Sequence, residues 1–134
     1  MIQGYILSFL YLSLSSLMFL QNKYRLQLSF IIRFSSFLIS NKKALYIFTL
    51  SGAFIFLILV FFPISPGPMV LGDLIPALMI LYETLYFYIV YGRAEIKKER
   101  EYINFSKEGR KVILGYMSMV VALVHFVFPS FVLL

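Results

Sequence analysis

Long apolar runs and two charged segments alternate along the chain. Residues 2–20, "IQGYILSFLYLSLSSLMFL", and 44–62, "ALYIFTLSGAFIFLILVFF", hold no charged side chain; 74–92 holds Glu83 alone, and 112–134 only the titratable His125. A helix needs about 20 mostly apolar residues to cross a hydrocarbon core of roughly 30 Å. The pattern therefore predicts an all-α integral membrane protein, one membrane domain over residues 1–134 with four transmembrane helices at about 2–20, 44–62, 74–92 and 112–134. The first run stands where a secretory signal would. It has no basic segment before it and no A-x-A-like site after it, so a retained helix is expected.

Residues 23–40, "KYRLQLSFIIRFSSFLIS", follow a different pattern. At the helical period Arg25, Ser29, Arg33, Ser36 and Ser40 fall within an arc of about 80°, while Phe30, Ile31, Phe34 and Leu38 lie away from it. A basic polar stripe opposite an apolar face describes an amphipathic helix in the membrane interface. The competing reading is a fifth, short span. A central Arg costs roughly 2.5 kcal/mol or more on insertion scales, which favours the interfacial helix.

The two connections beyond this point differ in kind. Residues 63–73, "PISPGPMVLGD", combine proline, which fixes φ, with glycine, which permits tight reversal, and read as a rigid turn. Asp73 stands at the expected N-cap of the third span, and Pro76 falls in a first turn whose N–H groups lack intrahelical partners anyway. Residues 93–111 mix seven basic with four acidic residues. They read as a solvated extension of the third helix, broken near Asn104, Ser106 and Gly109.

Composition agrees with this class. Hydrophobic residues make up 61% of the 134 and charged residues 13%, far from the balance of a soluble domain. Placement of charge then sets orientation. All twelve Lys and Arg lie in two segments: Lys23, Arg25, Arg33, Lys42 and Lys43, then Arg93, Lys97, Lys98, Arg100, Lys107, Arg110 and Lys111. The positive-inside rule places both segments in the cytoplasm and both termini outside, as a multi-pass protein of the cell (inner) membrane. Arg25, Arg33, Lys42 and Lys43 are candidate contacts for lipid headgroups. Such a location argues for lipid, and against nucleic acid, as the partner of the basic segments. Tryptophan is absent, so the ten Tyr must supply most of any interfacial aromatic belt.

Little chemistry is on offer. The chain has no cysteine and one histidine, which leaves no thiolate or multi-histidine metal site, and no cofactor is implied. No phosphate-cradling glycine loop or nucleophile elbow is present, so no enzyme is expected. The informative residue is Glu83, because an ionisable group inside a span is costly and marks function by default. Counting from the outer ends of their helices puts Glu83 and His125 at similar depth, which makes them a candidate pair, with Tyr86 one turn away as the second choice. On the fourth span Gly115, Ser118, Ala122, His125 and Pro129 share one face, a small-residue face for helix packing. On the first span Ser8 and Ser15, seven apart, form another candidate seam.

Three roles for Glu83 compete: a structural contact within the chain, a contact to another subunit, or a proton, ion or substrate site. The expected function is a small accessory subunit that packs against, and stabilises or regulates, a larger membrane protein complex. Its partners would be membrane lipids and other membrane subunits or copies of itself. The alternative is a small proton-coupled transporter or channel using Glu83 with His125.

Overall fold

The computed structural model describes residues 2–62, 74–92 and 108–127, all of them helix or short turn. Helix α1 covers Ile2–Leu20, α2 Ser29–Ser40, α3 Lys42–Phe61, α4 Leu74–Tyr86 and α5 Glu108–Val127; α4 runs on into a π-helical turn over Phe87–Tyr91. The proline-rich connection, the Asp73 cap, most of the charged segment 93–111 and Pro129 lie outside the described residues.

Three helical stretches are long and apolar enough to cross a membrane: Lys42–Phe61, Leu74–Tyr91 and Gly109–Val127. Their length and composition mark a membrane protein. The uncharged α1, at 19 residues, is close to the same length.

The helix after α1 is shorter than its polar stripe suggested. It begins at Ser29, not near residue 23, and its 12 residues extend about 18 Å, too short to span. The intervening chain turns back: the Leu20 carbonyl accepts from the N–H groups of Lys23 and Tyr24 at 3.0 and 3.2 Å. This reversal lets the buried Gln21 donate from Nε2 to Ser35 Oγ at 2.9 Å. Arg25, Ser29, Arg33, Ser36 and Ser40 are exposed, whereas Ile31, Ser35, Leu38 and Ile39 pack inward.

One residue joins α2 to α3. Asn41 is extended (φ −109°, ψ 105°), donates its N–H to the Phe37 carbonyl, and accepts at Oδ1 from the N–H groups of Lys43 and Ala44 at 3.1 and 3.4 Å. Asparagine suits the joint because its short side chain satisfies donors that a helix start leaves orphaned.

Packing is pairwise, α1 against α5 and α3 against α4, with α1 also touching α3 and α4. An aromatic column ties three of these helices. Tyr11 stacks on Phe48 with centroids 4.9 Å apart, Phe48 meets Phe87 edge-on at 5.4 Å, and Phe87 stacks on Phe19 at 5.1 Å. Close approach depends on small residues, because lipid leaves packing, not hydrophobicity, to hold helices together. Gly52 of α3 lies where a Cβ would run into the Tyr11 ring and Thr84 Oγ1. Gly115 of α5 lies against Leu20 and Phe19, 2.7 Å from Leu20 Cγ to the position a Cβ would take.

Gly52→Val is therefore expected to overpack the α1/α3/α4 junction, costing about 1–3 kcal/mol in thermal or denaturant unfolding in detergent. Gly109→Ala, at an exposed helical position with nothing within 4 Å, is the matched control and should not lower stability.

Candidate functional site

The polar side chains of the bundle converge on α1. Its sequence puts Ser8, Tyr11 and Ser15 at spacings of three and four, one stripe of a helix. Each reaches a different level of the neighbouring helices. Ser8 and Ser15 are fully buried, as are Glu83 of α4 and His125 and Ser118 of α5.

Ser15 donates to Glu83 Oε2. Its Oγ also lies 2.9 Å from the Tyr11 carbonyl and 3.1 Å from that of Leu12, so one hydroxyl proton faces three acceptors. Among the described residues Glu83 Oε1 has no hydrogen-bond partner, and neither has Ser118 Oγ. Ser118 stands at the same level, since the neighbouring Ser16 and Met119 approach to 3.5 Å between Oγ and Sδ. One turn from Ser15, the Tyr11 hydroxyl meets Thr84 Oγ1 at 3.2 Å.

His125 is held at another level. Its Nε2 lies 3.3 Å from Ser8 Oγ, and Ser8 Oγ lies 2.8 Å from the Tyr5 carbonyl. With the Ser8 proton given to that carbonyl, the imidazole N–H is the donor to Ser8. Tyr5 packs its ring against the imidazole at 4.8 Å, and its hydroxyl donates to the His125 carbonyl at 2.9 Å. That carbonyl belongs to the last turn of α5, where carbonyls lack intrahelical donors, and the Tyr5 hydroxyl also lies 2.5 Å from the next one, of Phe126.

Depth counting placed Glu83 beside His125; the structure gives them separate partners. Ser8 and Ser15 are seven residues apart, so the two sites differ in level by about 10 Å. The count assumed that both helices start at one interface, and it left out hydroxyls on α1 that stand nearer to each group. Tyr86 does not bond the carboxyl: its ring meets Phe19 edge-on at 5.2 Å. Gly115, Ser118 and Ala122 line up with His125 as the buried face of α5.

Basic side chains gather at the opposite end from Ser8 and His125. Arg25, Arg33, Lys42 and Lys43 are exposed. Lys23 donates from Nζ to the Tyr116 hydroxyl at 3.1 Å, which raises the lysine pKa above its ordinary value. Lys111 is buried, with Nζ 5.8 Å from the Tyr91 ring centroid. Among the described residues no group of three His, Asp or Glu stands close enough to hold a metal ion.

Ser15 and Ser8 entered the sequence reading only as a packing seam; their spacing was the available signal, and the groups they would meet were not. Gln21, Thr84 and Tyr11 carried no sequence signal of a role.

Residues 1–125 match the model of a protein family of unknown function, and the chain belongs to that family. No curated protein and no solved structure matches it.

Ser15→Ala removes the donor to a buried carboxyl and should lower stability by about 0.6–2 kcal/mol, the range for interhelical polar contacts in membranes. A double-mutant cycle with Glu83→Ala checks this, and a coupling of comparable size is expected between the two positions.

Proposed function

We propose that this protein is a small accessory subunit that packs against a larger membrane protein complex and stabilises or regulates it. The reading includes α1 as a fourth span, α2 as a helix in the cytoplasmic interface and both termini outside. The observation that carries it is the direction of the polar groups. Glu83 and His125 both turn inward and bond serines of α1, so the costly groups are engaged in closing this chain. The outer face of α5 meanwhile carries Ile113, Tyr116, Val120, Leu123 and Val127 exposed, at alternating spacings of three and four residues. That spacing forms the apolar seam by which one helix packs along another.

Mild-detergent purification of the tagged protein tests this reading. Membrane proteins should co-purify, and polar substitutions at Val120 and Leu123 should release them; a lone monomer or homodimer would defeat it. Glu83→Gln keeps an acceptor for Ser15 and should leave the complex intact. Topology is separately testable, since the chain has no cysteine to mask a label. A single cysteine at Ser36 should react only from the cytoplasmic side, and one at Ser65 only from outside.

One observation favours a second reading, a small proton-coupled transporter or channel. Among the described residues, Glu83 Oε1 and Ser118 Oγ are buried without hydrogen-bond partners, as a proton- or ion-accepting position would be. On this reading Glu83→Gln abolishes flux in proteoliposomes under a pH gradient while the protein still folds. Retained flux in that variant, or none in the wild type, removes it.

A further inference from the structure

We propose that the groove between α3 and α4 binds one acyl chain of an anionic phospholipid, with its headgroup held by Lys42 and Lys43. The groove has a volume of about 370 Å³ and is lined by Tyr46, Leu50 and Ala53 of α3, by Thr84 and Leu85 of α4, and by Tyr88 of the π-helical turn that follows. Its wall is almost wholly apolar. Its two threonines are buried and engaged elsewhere: Thr84 Oγ1 meets the Tyr11 hydroxyl, and Thr49 Oγ1 donates to the Tyr46 carbonyl at 3.0 Å. An apolar slot of this kind accepts hydrocarbon. It is too small for a helix, which is about 10 Å across with its side chains.

Charge at one end supplies the selectivity. Lys43, Tyr46, Ile47 and Leu50 stand at the helical spacings of three, four and seven residues, so Lys43 continues the groove-lining stripe to the start of α3. Lys42 and Tyr46 are likewise one turn apart. Both lysines are exposed. Below them Tyr46 and Tyr88 face each other across the mouth with centroids 6.2 Å apart, amphipathic rings at the level where headgroup gives way to hydrocarbon. From Tyr46 to Ala53 the groove runs about 10 Å into the apolar span. A phosphate at the lysines thus leads its chain past the tyrosines and into the slot. Zwitterionic lipid fits the slot equally well but gains less at the lysines.

Thermal unfolding in mild detergent, with added phosphatidylglycerol or phosphatidylcholine of identical chains, tests this. Phosphatidylglycerol should raise the unfolding temperature by several degrees more than phosphatidylcholine. The difference should vanish in the double variant Lys42→Gln, Lys43→Gln. It should persist in Arg25→Gln, Arg33→Gln, which loses the same charge away from the groove. Ala53→Leu, which fills the slot without changing charge, should weaken the effect of both lipids. Loss of the difference in the arginine variant would reduce it to a diffuse basic surface and overturn the proposal. So would its persistence in the lysine variant. A full lipid effect in Ala53→Leu would show that no acyl chain occupies the slot and also overturn it. The lipid arms need no partner protein, so their outcome is independent of the accessory-subunit reading.

Discussion

A carboxyl group surrounded by hydrocarbon must be given a hydrogen-bond donor, and in this bundle the donor is a serine on another helix. Leaving a polar group unpaired in that medium costs several kcal/mol, more than most individual packing contacts return. The Ser15–Glu83 bond therefore fixes how α4 sits on α1, in rotation and in height. The level of the Tyr11–Thr84 contact follows, and with it the demand that α3 present a glycine at position 52. The aromatic column of Phe19, Phe87, Phe48 and Tyr11 fills the space that remains.

Backbone groups obey the same constraint at the helix ends. Asn41 satisfies the start of α3 and, through its own N–H, the end of α2, so a single residue serves two helices. Tyr5 does comparable work at the end of α5, where its hydroxyl reaches the His125 and Phe126 carbonyls at 2.9 and 2.5 Å. In both cases a polar atom that water would satisfy in a soluble protein is met by a side chain chosen for reach.

Much of the architecture was legible along the chain because apolar length and helical period are local properties. The run at 44–62 became α3, and that at 74–92 became α4 with its π-helical turn, within two residues at each end. The polar stripe of Arg25 to Ser40 marked exposed positions even where the chain is turn and not helix. The partners of Glu83 and His125 were not legible, since they depend on the relative height of helices, which no single-helix pattern contains. The π-helical turn at Phe87–Tyr91 also left no mark, because its residues are as apolar and aromatic as those of an ordinary helix.

The serines of α1 have a consequence for chain order as well as for packing. Ser8 and Ser15 each lie within reach of a carbonyl one turn back on their own helix, at 2.8 and 2.9 Å. Along the chain α1 comes before α4 and α5, and its hydroxyls can be satisfied within its own helix. Glu83 arrives 68 residues later and His125 a further 42, each bringing a group that has no such local remedy. The first helix does not need the later ones for these hydroxyls, and they need it. The division of labour is thereby set by which helix carries hydroxyls and which carry the groups that must find them.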